Sequence, residues 1–495
     1  MLRTRIFIVG GALACAVVGA CVFLSVKSPF SEQKVRDRLQ RSFGLPVTFG
    51  RFAEARFPPG CTIDQVRIGG IIKADHVAIR ASWAGLLIPP ATVGEMDIGG
   101  LEMTWRTGRS FPFQDDDSHL TFGLIRFDSA RLNVLTSEAD TTPLTFAIHH
   151  LEIAGSKYKV SMTNPQPPGE VESSGNFGPY EKGHIRELPV SGSYVFRDAN
   201  LGSIHGLAGT LFSKGTFDGR LSQIAVNGHV DVAGFHVQGA SGRVNLASTF
   251  KARVNGTNGE TSLEAVDVQA ARSFIHGEGT VDKAGAHLRI SMKKGRVEDM
   301  LRYFSTQKPP SMTGNLMFGT KAEVPPGPGF LKKIRLSGEF SVDSGHFTKE
   351  PTQESLNHLS ESAQGEKKDQ QENDARTMPV RLRSHTEVMH GVAALTQATF
   401  ATTGVTAQLA GDFNLLTKAI DFHGVLETDG KLSDSASGFK SVVLKVITPL
   451  YRHHQETVLP FTIKGTSSHP SLGLDLDSKN AARQPAVIRQ VFGAK

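Results

Sequence analysis

Between Val244 and Val254 apolar side chains return at every second position. Val244, Leu246, Phe250, Ala252 and Val254 share one face, with Ser248 the exception, while Asn245, Thr249, Lys251 and Arg253 share the other. A period of two belongs to a strand with one face in water and one out of it. The pattern recurs at Leu288, Ile290 and Met292, at Ile334, Leu336, Phe340 and Val342, at Val405, Ala407, Leu409 and Phe413, and at Ile420, Phe422 and Gly424. Nearer the N-terminus Ile63, Gln65 and Arg67 alternate with Asp64, Val66 and Ile68, and Val77 and Ile79 stand two apart. Asn227-Gly228, Asn255-Gly256 and Asn258-Gly259 read as turns between such strands. Strands spaced about every 10 residues favour an antiparallel meander. The chain is therefore expected to be mainly β, and its 51 glycines beside 2 Trp and 5 Tyr suit many short strands.

Helical spacing is confined to short stretches. Ser31–Ser42 carries Val35, Leu39 and Phe43 on one stripe, with Gly44 as C-cap and Pro46 as a stop. Val297–Ser305 and Phe439–Tyr451 are two more. Pro165–Gly183 reads as an exposed loop or seam, and Glu350–Arg376, almost without apolar residues, as a mobile loop.

One stretch belongs to a membrane. Ile6–Val26 has no charged side chain, and about 20 such residues in a helix cross the hydrocarbon core of a bilayer. Ile6, Phe7, Leu13, Val17, Val22, Phe23 and Leu24 are its apolar body, and Arg3 and Arg5 before it hold the tail in the cytoplasm. An uncleaved signal anchor fits best. A cleaved signal peptide and a lipoprotein signal ending at Cys21 are the alternatives, and the apolar Val22-Phe23-Leu24 run speaks against both. The rest of the chain is then exported.

Composition narrows the classes further. The 495 residues carry a net charge of +6 with no dense Lys/Arg tract, so no nucleic-acid partner is expected. Of the 3 cysteines, Cys15 and Cys21 lie in the anchor, which leaves Cys61 without an intramolecular partner. A buried apolar Cys61 is the simpler reading beside an intermolecular disulfide. No phosphate-binding loop, Gly-x-Ser-x-Gly or His-Glu-x-x-His occurs, so neither catalysis nor a cofactor is expected. His149-His150 and His453-His454 are neighbours that a strand sends to opposite faces, which suits surface histidines better than a metal. Asp115-Asp116-Asp117 reads as a solvated loop, and Trp83 through Pro90 as a buried connection.

The order of motifs carries a resemblance. Behind the anchor come a short helix, a Gly-x-Pro-Val-x-Phe-Gly strand at 44–50, Ile63-Asp64-Gln65-Val66-Arg67-Ile68-Gly69, Ala-Asp-His-Val-Ala-Ile at 74–79, Gly-Leu-Leu-Ile-Pro-Pro at 85–90 and Met-Asp-Ile-Gly-Gly-Leu-Glu-Met at 96–103. Gly411-Asp412-Phe413-Asn414-Leu415 and a Phe-x-Ile-x-Gly-Thr…Pro-x-Leu element at 461–472 close the chain. This order resembles the AsmA-like family of bacterial envelope proteins, including its C-terminal region. The resemblance implies an inner-membrane anchor at 1–27, AsmA-like helix and strands at 28–110, a β-rich middle at 111–296, a short helix and strands at 297–349, the polar loop at 350–377, the C-terminal β region at 378–480 and a tail at 481–495.

What must cover the apolar face decides the function. From the residues alone a closed sandwich is favoured, with an open, curved sheet as the alternative. The resemblance implies the open form, an elongated antiparallel β-groove that binds phospholipid and moves it between inner and outer membrane, supporting outer-membrane homeostasis. Val244, Leu246, Phe250, Val254, Leu288, Ile290, Leu336, Phe340, Leu409 and Phe413 are then the candidate groove residues. At about 4.8 Å per strand, on the order of 20 to 30 strands reach roughly 100 to 140 Å, so a shuttle mode or a partner protein of the outer membrane or periplasm is expected. The competing expectation is a non-transporting envelope scaffold that acts by protein binding.

Overall fold

The computed structural model describes residues 30–56, 58–82, 92–106, 121–135, 143–179, 184–204, 206–237, 242–304, 308–326, 329–348, 354, 379–428, 452–453, 456–466 and 469–474. Strands make up 73% of these residues and helices 9%, so the chain is mainly β. The expected anchor Ile6–Val26, the Trp83–Pro90 connection, Asp115–Asp117, the Glu350–Arg376 loop (all but Glu354) and the Phe439–Tyr451 helix lie outside the described residues. Among the described residues no helix is long and apolar enough to cross a membrane.

Helix α1 (Glu32–Phe43) ends where Gly44, at φ 61, donates its N–H to the Gln40 carbonyl. Its expected stripe is the docked one, with Val35 and Phe43 buried and Leu39 against the same core. The strands that follow form one 26-stranded sheet. Strands β1 (Val47–Thr48) and β2 (Arg51–Arg56) lie end to end along β3 (Pro59–Ile68), which pairs with β4 (Ile72–Ala81). Strands β5 (Thr92–Gly99) and β6 (Glu102–Arg106), parted by Gly100 at φ 63, occupy the next place. Strand β7 (Thr121–Leu135) runs parallel to both, which corrects the expectation of a purely antiparallel sheet. A parallel neighbour cannot be reached through a tight hairpin.

From β7 onward the meander is antiparallel. It runs through β8 (Leu144–Ala154), β9 (Lys157–Pro165), β10 (Pro168–Phe177), β11 (Pro189–Asn200), β12 (Leu207–Arg220), β13 (Gln223–Val237) and β14 (Val244–Val254). It continues through β15 (Thr261–Ala270), β16 (Ser273–Val281), β17 (Ala286–Arg296), β18 (Met312–Val324), β19 (Arg335–Phe347), β20 (Val380–Met389), β21 (Val392–Thr402), β22 (Val405–Asn414) and β23 (Ala419–Thr428). Strands β24 (Arg452–His453) and β26 (His469–Leu474) share the far side of β25 (Glu456–Thr466), which pairs with β23. Helix α2 (Val297–Phe304) stands between β17 and β18, and α3 (Phe330–Lys333) between β18 and β19. With several strands sharing a place in the row, the edges of the 26-stranded sheet lie on the order of 100 Å apart along the hydrogen bonds at about 4.8 Å per step.

Three local readings are corrected. Pro165–Phe177 is not a loop: Pro165 and Pro168 face each other across a tight hairpin, Asn164 Nδ2 donates to the Pro167 carbonyl at 2.8 Å, and β10 buries Val171 and Phe177, while 180–183 lie outside the described residues. The prolines stay at the turn, where no ladder N–H is lost. Asn227-Gly228 is not a turn either; it lies inside β13, with Gly228 opposite Gly215 on one side and Phe250 on the other. The Asn255 and Asn258 turns form as expected, each Asn Oδ1 accepting a backbone N–H two residues on. Finally, Gln65 at φ 54 breaks the alternation of β3 without changing its register, Asp64 pairing with His76 and Val66 with Ala74. Ile63, Val66 and Ile68 are therefore all buried, where strict alternation sent Ile63 the other way.

The core is lopsided along the row. A contiguous cluster runs from Phe30 to Val254, with Phe127, Phe146, Leu132, Ile148 and Ile224 at its centre, each 2% exposed or less. Among the described elements α1 covers this face at the β1–β3 end. Beyond β14 buried apolar residues become sparse and the same face is mostly half-buried.

Candidate functional site

The register traces one face across the second half of the sheet. Phe250 pairs with Val266, Val266 with Gly277 and Gly277 with Ile290. Leu288 pairs with Ala322, and the row continues through Leu336, Val388, Ala393, Phe413 and Ile420. Met292, Phe318 and Phe340 form a second row on the same face. Leu409, four residues from Phe413 on unbroken β22, stands between Ala398 and Gly424. Val244, Leu246 and Val254 share the face of Phe250 on β14. The structure thus brings the sequence-read candidates together on one face, although β14 and β22 are far apart in the row.

Their exposure is the informative property. Val254 is 1% exposed and belongs to the closed core. Val244, Leu246, Phe250, Leu288, Ile290, Leu336, Phe340, Leu409 and Phe413 are all half-buried. Sequence reading missed Leu263, Val266, Leu316, Phe318, Phe400 and Phe461, which line the same face to the same degree. Bulges interrupt the alternation beside Leu263 and Val266 on β15 and before Phe400 on β21, so a strict period of two loses those three, whereas Leu316, Phe318 and Phe461 alternate regularly and were legible. The opposite face is polar and ion-paired: Arg253 with Glu264, Arg289 with Glu278 at 2.5 Å, and Arg335 with Glu323 at 3.7 Å.

Helix α2 closes one rim of this face, touching β13, β17 and β18. Tyr303 meets Phe235 edge-on at 6.2 Å, and Met292 beneath is 1% exposed. Two acidic residues in the first turn lock the helix down. Glu298 accepts from Arg272 Nη2 at 2.8 Å, Arg296 Nε at 2.9 Å and the Gly314 N–H at 3.2 Å. Asp299 accepts from the Arg272 N–H and the Ser273 hydroxyl, each at 3.0 Å. Burial alone would raise the Glu298 pKa, but its own backbone N–H, Arg296 and Gly314 outweigh that and hold it below the usual carboxylate range. For Tyr303, burial and then the Asp299 charge push the phenol up to about 12.

The remaining chemistry-bearing residues are engaged locally. His149 Nε2 lies 2.7 Å from Thr163 Oγ1 on β9, and His150 Nδ1 lies 2.8 Å from Asp128 Oδ1 on β7, so the pair does not converge. Cys61 is 1% exposed, and burial, then the nearby Glu54 charge, push its thiol up to about 12. Among the described residues no group of three or more His, Cys, Asp or Glu is placed to hold a metal ion. No protein-family model, curated protein or solved structure matches the chain.

Proposed function

We propose that the half-buried apolar face from β14 to β25 is an open, curved groove that holds phospholipid acyl chains. The observation behind this is the unbroken row from Leu288 through Leu336 to Phe413 and Ile420, apolar throughout and overlaid by no described element; those four side chains are half-buried, and the smaller Ala322, Val388 and Ala393 between them are buried. A contiguous apolar face of this extent left partly open to water marks a binding site. Its uniformity favours an alkyl chain over a peptide. A peptide backbone needs hydrogen-bond partners, and the backbone groups under this face are already spent on the sheet ladder. An acyl chain needs only apolar contact, worth roughly 25 cal/mol per Å² removed from water.

On this reading the chain is an AsmA-like protein, held in a bacterial inner membrane by Ile6–Val26, which carries phospholipid toward the outer membrane. The closed half, β3 to β13, leaves no room for lipid and acts as a rigid support. The row being on the order of 100 Å long, a partner or a shuttle step completes the path. The test is site-specific photocrosslinking of the full-length protein in cells. A photoreactive residue at Phe340 or Leu409 should trap phospholipid, whereas one at exposed Lys321 should not. Equal labelling at all three positions, or none at the first two, contradicts the proposal and favours a scaffold.

A further inference from the structure

Among the described residues four large apolar side chains are strongly exposed: Phe274 at 59%, Met389 at 48%, Met317 at 45% and Leu416 at 43%. Two of them share one rim. Met389 ends β20, and Leu416 lies in the turn between β22 and β23. The Leu415 N–H donates to the Gly391 carbonyl at 2.8 Å. A Cβ added at Gly391 would stand 3.1 Å from Leu416 Cδ1 and 3.7 Å from the Leu331 carbonyl oxygen. The β18–β19, β20–β21 and β22–β23 connections therefore meet at one place. The Leu336–Val388–Ala393–Phe413–Ile420 row borders it directly.

The charge of this rim is one-sided. Lys332, Lys333, His390 and Lys418 are exposed, and segments 325–334, 389–391 and 414–419 contain no Asp or Glu. The next turn along the same rim sets Asp282 beside Lys283, so the excess is local. On the opposite rim Arg272 and Arg296 are held by Glu298 and Asp299. Backbone groups in the basic turns are satisfied internally, the Lys418 N–H on the Asn414 carbonyl at 2.8 Å and the Lys332 N–H on the Gly329 carbonyl at 2.9 Å. Lys333 Nζ donates to the Pro326 carbonyl at 2.9 Å and keeps its charge, so what these turns offer outward is apolar side chains and the ammonium groups of Lys332, Lys418 and the anchored Lys333.

We propose that this rim docks on a membrane leaflet that carries anionic headgroups. Met389 and Leu416 enter the headgroup layer, and Lys332, Lys333 and Lys418 face its phosphates. Basic side chains beside exposed apolar ones are what an anionic bilayer surface recognises, and a fluid headgroup layer needs no fixed hydrogen-bond partner. The inference rests on the lipid-binding reading above and adds to it the place where acyl chains leave the bilayer for the groove.

The test uses the full chain with Cys15, Cys21 and Cys61 changed to alanine and Leu416→Cys carrying an environment-sensitive fluorophore. The probe reports the rim itself, whichever other part of the chain meets the vesicle. Vesicles of phosphatidylglycerol and phosphatidylethanolamine should shift its emission to the blue, and phosphatidylcholine vesicles should not. The shift should fade in high salt, where the screening length drops to about 3 Å at 1 M. In the Lys332→Gln, Lys333→Gln, Lys418→Gln variant the vesicle concentration for a half-maximal shift should rise at least tenfold, each lysine being worth roughly fivefold. A probe at Phe274→Cys, on the other rim, should stay unshifted. An unshifted Leu416 probe on anionic vesicles, an equal shift on phosphatidylcholine, or an unchanged response in the glutamine variant overturns the proposal. So does an acidic protein that shifts the probe where anionic vesicles do not. Phospholipid extracted from the same preparations separates the two readings. Docking by protein that never contains lipid removes the groove reading and leaves the docking rim, whereas lipid-filled protein with an unshifted probe does the reverse.

Discussion

The ring of Phe250 lies over the backbone of Gly228, its partner across the β13–β14 ladder: a Cβ at Gly228 would meet Phe250 Cε1 at 2.5 Å and the Tyr194 hydroxyl at 2.7 Å. Tyr194, Gly215, Gly228 and Phe250 stand in one line across β11 to β14, and Tyr158, Gly175, Gly192 and Phe217 in another across β9 to β12. Each line sets two glycines between two aromatic rings. Glycine lets the backbones approach, and the rings cover the backbone that glycine leaves bare.

Gly228→Ala should therefore destabilise the protein by about 1–3 kcal/mol, the usual cost of overfilling a packed site. Gly319→Ala is the control. Gly319 has nothing within 4 Å of an added Cβ, so its substitution should stay within about 0.5 kcal/mol of neutral. Melting curves of the two variants compare the sites directly, and equal shifts would contradict the account.

The two halves of the apolar face should answer an introduced charge differently. Ile148→Asp places an unpaired carboxylate where the side chain is 1% exposed, and the protein should lose several kcal/mol or fail to fold. Leu409→Asp, at a half-buried position, should keep a near-normal melting temperature and lose bound phospholipid. Thermal stability and extracted lipid, measured on the same preparations, decide the matter. Collapse of both variants would mean that the second half is closed as well.

Glu298→Gln should loosen α2. Arg272 is 63% exposed at its side chain and returns to water, so the loss comes mainly from the carboxylate's hydrogen bonds, about 1–3 kcal/mol. The pH dependence has a definite sign. Because the folded pKa of Glu298 is lowered, its contribution is present above the ordinary carboxylate pKa and disappears as pH falls through the folded value. Protection of the 297–304 amides, corrected for the intrinsic exchange rate at each pH, should fall in acid in the wild type, and the Gln variant should start less protected and change less.

Cys61 should be inert in the folded protein. Its thiol, pushed up to about 12 and 1% exposed, offers almost no thiolate at pH 8. Peptide-resolved alkylation should label it only after denaturation. Rapid labelling of native protein would show that β3 opens.

The strands were legible because one face is dry and the other wet, and from Val405 to Phe413 that alone sufficed. Legibility failed where a physical rule other than alternation governs. Gln65 at φ 54 shifts the phase of β3 by one residue, and no local composition announces it. Asn227-Gly228 carries the chemistry of a turn but is used for its missing side chain, a demand set by Phe250 on another strand. The parallel course of β7 depends on a connection, not on the strand's own residues. Half-burial of Phe340 and Leu409 is invisible to any one-dimensional pattern, because open and closed faces share the same alternation. Met389 and Leu416 belong to no repeating pattern and meet only through the rim.

From β8 to β22 every strand is hydrogen-bonded only to the strands immediately before and after it in the chain. Such a row has adjustable length. Adding or removing one hairpin shifts everything beyond it by about 10 Å and leaves each remaining ladder with a partner of the correct direction. A closed barrel has no such freedom, because its strand number and stagger are tied together. Such an architecture can thus change its length two strands at a time without disturbing the pairing of the rest.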